Sequence, residues 1–139
     1  MSQNERLRPP PGGLRRPPGE RFVGTQIVLD LNERARALRA EADPPQRGHR
    51  QITLFHRPPV TQALFAFEAG GALPDHAARG LVTIHVLDGA LTVEAEGQSH
   101  DLGAGGILVL GPNTRHSVRA RDAATMLLTV HLETGGGGA

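Results

Sequence analysis

The 139-residue chain has no cysteine, no tryptophan, no tyrosine and only four phenylalanines. The absence of cysteine excludes disulfides, thiolate metal ligands and a cysteine nucleophile, and it leaves the redox compartment open. With so few aromatic rings, the core has to be built from Leu, Val, Ile and Ala. Single-stranded nucleic-acid binding, which stacks bases on such rings, is not expected either. The formal net charge is only +1, so no global field would draw the domain onto nucleic acid or an anionic membrane. No apolar run approaches the roughly 20 residues that a membrane helix needs. The first 20 residues also lack the hydrophobic core of a secretory signal. A soluble, cytoplasmic protein with no membrane and no nucleic-acid partner is expected, with one domain and one modest core.

What is present divides the chain into four parts. Residues 1–20 hold five prolines, three glycines and four arginines. Such a segment buries too little to offset its lost entropy and reads as a disordered tail. Residues 21–49 read as a helical extension. Asp30 with Glu33 three residues later makes a capping box, and Leu31, Ala35, Leu38 and Ala42 recur on one helical face until Pro44 and Pro45 stop it. The stretch "RFVGTQIVL" before it fits strand or helix equally well. The final residues, 134–139, read as a flexible Gly-rich end.

From residue 50 to 133 the period of the pattern changes to two. Short β-rich runs, "QITLF", "TQALFAF", "LVTIHVL", "ALTVEA", "GILVL", "HSVRA" and "TMLLTVHL", are separated by Gly-, Pro-, Asn- or Asp-containing loops. Seven or eight strands with turns every 8–12 residues describe an all-β sandwich or barrel. Asp88-Gly89 is the clearest reversal. In "LVTIHVL", Val82, Ile84 and Val86 share one face while Thr83 and His85 share the other. His85 should therefore point away from the interior unless a bulge turns it. By the same parity His131 faces outward. His56 and His100 read as surface histidines, and His49 as part of a Pro/Gly loop.

Two segments, "GGALPDHAARGLVTIHVLDG" (70–89) and "GAGGILVLGPNTRHSV" (103–118), resemble the two signature motifs of the cupin superfamily. The resemblance implies a double-stranded β-helix, or jelly-roll, barrel over residues 50–133, with the short helix packed outside. Asn113 takes the place of a family glycine, and Asn is the next residue best able to adopt a left-handed conformation. Metal-binding cupins place two histidines and a Glu or Gln in the first motif and one histidine in the second. The resemblance maps these ligands onto His76, Ala78, Val82 and His116. Neither Ala78 nor Val82 can bind a metal, so the motif is reduced to two histidines.

Other chemistries lack a motif. Ser99-His100-Asp101 is a run in sequence, whereas triad members meet in space. "GAGG" at 103–106 precedes a strand instead of opening a helix, so it is not a phosphate loop. The expected ligand pocket is therefore the barrel mouth, lined by His76, Val82, Ile84, His116 and Phe67, with Leu64 or Phe65 nearby. Mostly apolar walls with a few polar groups are how small-molecule sites are usually built. The reading is a small cupin-domain protein that binds a small organic ligand or acts in a regulatory or accessory role. It would carry no cofactor or a weakly held divalent metal (Fe, Mn, Ni or Zn) on His76 and His116. The alternative is a metal-dependent enzyme of the dioxygenase or isomerase type using the same two histidines. Apolar residues on both strand faces, such as Leu81 and Leu87 opposite Val82, Ile84 and Val86, point to a homodimer.

Overall fold

The computed structural model describes residues 21–133; the tails assigned to 1–20 and 134–139 lie outside the described residues. Helix α1 (Leu31–Arg39) is followed by nine strands. They are β1 (His49–Arg57), β2 (Val60–Phe67), β3 (Ala72–His76), β4 (Gly80–Asp88), β5 (Ala90–Ala95), β6 (Gln98–Gly103), β7 (Ile107–Leu110), β8 (His116–Ala120) and β9 (Ala124–Leu132). Two antiparallel sheets face each other in jelly-roll order, β1-β2-β9-β4-β7 and β3-β8-β5-β6. This is the all-β barrel with an external helix that the pattern implied.

Alternation explains which face each strand buries. Val82, Ile84 and Val86 of β4 are fully buried, and their register partners Val130, Leu128 and Met126 on β9 share that inner face. From the other sheet, Leu91, Val93, Val118 and Ala120 complete one inner core. Its aromatic mass is Phe65 and Phe67, whose rings stack at 6.1 Å. Reversals follow the turn chemistry of the sequence. Glu96 and Gly97 both have positive φ (49° and 79°) in the two-residue link between β5 and β6, as a type I′ turn requires. Gly89 has φ 83°, and a Cβ there would lie 2.1 Å from the Ala123 carbonyl oxygen, so only glycine fits. Asn113 does adopt the left-handed conformation (φ 61°).

α1 begins as expected, with the Asp30 carboxylate accepting from the Glu33 amide at 3.0 Å. It ends earlier than expected, at the cap residue Ala40, which leaves Ala42 outside the helix. Arg50 donates to the carbonyls of Glu41 (3.2 Å) and Asp43 (2.6 Å), so those oxygens are satisfied without another helical turn. The helix packs on the outer side of β1 and β2, burying Leu38 together with Leu54 and Leu64. Arg39 fastens it, donating to the carbonyl oxygens of Phe67 and Ala124 and to the Thr125 hydroxyl. The stretch before the helix is neither strand nor helix: it is irregular, with a bend at Gly24–Thr25 and one bridge from Arg21 to His56.

Candidate functional site

His76 ends β3 and His116 starts β8, and the register sets them directly opposite one another. A bulge between Leu73 and His76 aims the first of these side chains. Pro74, inside that irregular stretch, cannot donate to the ladder, which is why pairing breaks there. The two imidazole centroids are 4.3 Å apart, with planes tilted by 56°. His116 is buried (2% exposed), whereas His76 remains open to solvent. One face of the pair is thus sealed by the barrel and the other is reachable.

Each ring is oriented by a backbone oxygen two residues earlier in sequence. His76 Nδ1 bonds the Pro74 carbonyl at 2.7 Å, and His116 Nδ1 bonds the Thr114 carbonyl at 2.9 Å. A carbonyl only accepts, so Nδ1 carries the proton in both rings, and each neutral ring keeps its Nε2 lone pair for a ligand. Burial lowers the His116 pKa, and the neighbouring His76 adds to this. Hydrogen bonding to Thr114 and the charge of Asp75 act the other way. The net shift favours the neutral imidazole at physiological pH. Asp75, which adjoins His76, is engaged elsewhere: its Oδ2 meets Arg115 Nε at 2.7 Å on the surface.

The remaining family positions do not supply further donors. Val82 is buried among aliphatic side chains, and Ala78 packs against the same core. Among the described residues, no group of three or more His, Cys, Asp or Glu side chains is arranged to hold a metal ion. Catalytic zinc usually takes three protein ligands, and non-haem iron takes two histidines and a carboxylate. A pair of imidazoles does not match either donor set, so a tightly held resident metal does not fit this site.

The other pocket residues are placed less uniformly. Val82 and Ile84 line the inner face of β4 as expected. Phe67 is fully buried at the end of β2 that pairs with His49, in ring contact with His49 (5.6 Å) and Phe65. Phe65 shares the inner face, whereas Leu64 points outward beneath α1. His85 and His131 occupy the outer parity of β4 and β9, as the alternation implied.

Three histidines read as loop or surface residues sit elsewhere. His49 is the first residue of β1, in tilted ring contact with Phe65 and Phe67. Its Nδ1 is buried without a partner among the described residues, and burial lowers its pKa against weaker opposing hydrogen bonds. His56 is half-buried on the inner parity of β1 and bonds Thr61 Oγ1 at 2.7 Å. His100 pairs with the inward Val93 and is half-buried too. The inner side of β1 is therefore a polar row, His49, Gln51, Thr53 and His56, and among the described residues Thr53 Oγ1 is buried without a partner. Sequence reasoning missed this row. Its signal is the alternation of "HRQITLFH", which begins two residues before the β-rich run "QITLF".

Comparison with known proteins places the chain by fold. A family model described as a cupin domain matches residues 63–131. A conserved protein of unknown function from Streptococcus pyogenes superposes with a TM-score of 0.64 at 20% identity, covering 81% of this chain and 93% of that one. A cupin superfamily protein from Desulfitobacterium hafniense gives 0.61 at 20% identity, over 67% and 84% of the two chains. Salicylate 1,2-dioxygenase from Pseudoaminobacter salicylatoxidans, in adducts with gentisate, gives 0.59 at 19% identity. It covers 72% of this chain but only 31% of the dioxygenase. Similarity at this level of identity speaks for the fold alone. No curated protein matches the chain.

Proposed function

The chain belongs to the cupin superfamily, and from that premise we propose that it binds a small organic ligand at the His76–His116 pair, in a regulatory or accessory role. The supporting observation is the close, tilted pair itself, each ring with Nδ1 tied to a carbonyl and Nε2 left available. Two neutral Nε2 atoms are hydrogen-bond acceptors. The group they suit is a donor, such as a hydroxyl, carried on an apolar body that rests at the Val82 and Ile84 end of the barrel; Phe67 lies at the opposite end, beside His49. The protein acts as a homodimer in this reading. Among the described residues, no helix is long and apolar enough to cross a membrane.

A second reading, a metal-dependent enzyme of the dioxygenase or isomerase type, draws on the same tautomers, because Nε2 is also the metal-binding atom. It needs donors from the substrate to complete the shell, since Ala78 and Val82 supply none. Nitrogen-15 NMR of the imidazoles separates the two readings, with phenol as a hydroxyl probe and benzoate as an anionic control. Phenol should shift the Nε2 signals of His76 and His116, and His76→Ala should abolish the shift at His116. Protein purified without a histidine tag should hold no stoichiometric metal. One equivalent of Fe, Mn, Ni or Zn that disappears in His76→Ala would favour the enzyme. The absence of any phenol response at millimolar probe would remove the binding reading.

A further inference from the structure

Strand β1 sets polar side chains on the inner face of a barrel whose core is otherwise largely apolar. The row is His49, Gln51, Thr53 and His56, and a bulge after Thr53 completes it. Thr53 stands opposite Ala63, but the register shifts before Phe55, which stands opposite Gln62. Strict alternation from Thr53 would aim Phe55 inward and His56 outward. The extra residue reverses both. Phe55 leaves the interior for an edge contact with Phe22 at 6.2 Å. His56 comes in opposite Thr61, whose Oγ1 it meets at 2.7 Å. An aromatic ring is thereby withdrawn from the inner wall, and an imidazole takes its place.

Thr53 is the fully buried member of the row. It is 1% exposed, and among the described residues its hydroxyl has no hydrogen-bond partner. Its neighbours across the sheet offer none, because Ala63, Leu128 and Ile84 carry only hydrocarbon side chains. Buried hydroxyls are nearly always paired, since drying one without a partner is unfavourable. Its place in the barrel points to what would pair it. β1 and β3 are edge strands, each with one neighbour, β2 and β8 respectively. They are tied together where the Ala72 amide donates to the Arg47 carbonyl at 2.9 Å. Because β2 runs back antiparallel to β1, β1 and β3 leave that tie in the same sense. Thr53 is four residues on from His49, and His76 four on from Ala72, the first residues of their strands. The two therefore stand at a similar height on facing sheets. Packed sheets lie about 10 Å apart, a gap that a small molecule spans.

We propose that Thr53 is a second binding point of the His76–His116 site, taking a hydroxyl carried at the far end of the ligand. The ligand class is then a small molecule with a hydroxyl at each end of an apolar middle. Thr53 has this part only if the histidine pair binds a ligand, as proposed above. At the pair, one hydroxyl donates to Nε2; at the other end, the second donates to Thr53 Oγ1 or accepts from it. Gln51 and His56, both half-buried, flank Thr53 on the same face. A hydroxyl that is dry and unpaired in the free protein, and paired in the complex, favours ligands carrying both groups over those carrying one.

The test titrates the full chain, followed by nitrogen-15 NMR, with phenol and with a set of longer probes. These are para-hydroxymethyl, para-hydroxyethyl and para-hydroxypropyl phenol, each beside the para-alkyl phenol of equal length. At least one hydroxyl-ended probe should bind about tenfold tighter than its alkyl match. The preference should vanish in Thr53→Val and survive in Thr53→Ser, which keeps the hydroxyl. Thr53→Val should also raise the melting temperature of the ligand-free protein, because a methyl replaces an unpaired hydroxyl at nearly the same shape. A phenol response without a hydroxyl preference in any pair of probes would overturn the role of Thr53 and leave ligand binding at the histidines standing. Silence toward every probe, phenol included, would remove both. A preference that persists in Thr53→Val would put the second contact on another residue and sink the proposal. So would a lower melting temperature in Thr53→Val, since the hydroxyl would then already be paired in the free protein, by an ordered water.

Discussion

Ala78→His should turn a weak cation contact into a real metal site, because it restores one of the two missing donors. Structural zinc in four-ligand sites is bound by about 10–16 kcal/mol, or roughly 2.5–4 kcal/mol per ligand. On that scale two imidazoles give roughly 5–8 kcal/mol, a Kd between about 0.2 mM and about 1 µM. A third imidazole should tighten this by about 100- to 1,000-fold. The position suits the change: Ala78 is half-buried against the inner core, two residues after His76, and its carbonyl accepts from the Asn113 amide, three residues before His116. Because Ala78 is not fully enclosed, the substitution should cost no more than about 1 kcal/mol of stability. Ala77→His is the control, since Ala77 is exposed and its side chain leaves the pair. Zinc titration by calorimetry after exhaustive dialysis reads the affinities. Thermal melts with zinc at about 100 times Kd should show Ala78→His stabilised by about 2.7 kcal/mol. The reasoning fails if the wild type retains an equivalent of metal through dialysis. It fails equally if Ala77→His gains as much affinity as Ala78→His.

Two further outcomes follow from the same geometry. Burial holds the His49 and His116 pKa values below the ordinary 6.5, so the unfolded chain binds more protons than the folded one between the lowered values and 6.5. Stability should be full above 6.5 and fall as pH drops through that window. Urea midpoints should show this fall, and His49→Gln should flatten it relative to wild type; an unchanged slope would refute the assignment. Gly97→Ala and Gly89→Ala both place a side chain at positive φ, but only at Gly89 does the new Cβ meet backbone, 2.1 Å from an oxygen, whereas Gly97 is open. Urea denaturation should give a loss of about 1–2 kcal/mol for Gly97→Ala and of more than about 3 kcal/mol for Gly89→Ala.

The barrel was legible because its signals are local. The inward row Val82, Ile84 and Val86 and the turns at Asp88-Gly89 and Glu96-Gly97 can be read within a few residues of each other, and they fix strand identity and face. Motif spacing singled out His76 and His116, and in the fold the two are register partners on β3 and β8. What could not be read depended on distant partners. The bulge before His76 exists because β3 meets β8, more than 40 residues later; Pro74 hinted at it without saying which way the ring would turn. The early end of α1 depends on Arg50 capturing carbonyls from β1. His49 reads as a loop residue because Pro44, Pro45 and Gly48 precede it, yet pairing with Phe67 and ring contact with Phe65 and Phe67 bring it into the sheet. The stretch 21–29 fits strand or helix by pattern, and among the described residues it pairs only at its start, where Arg21 bridges His56.

The Arg39 contacts have a consequence for how the protein meets acid and salt. Its guanidinium reaches two peptide oxygens and one hydroxyl, none of which changes charge at any physiological pH. The Asp75–Arg115 bridge beside the histidines is different: it lies in solvent and loosens in brine. High ionic strength should therefore slacken the chain around His76 and His116 first, while the helix stays clamped over the β2–β9 seam.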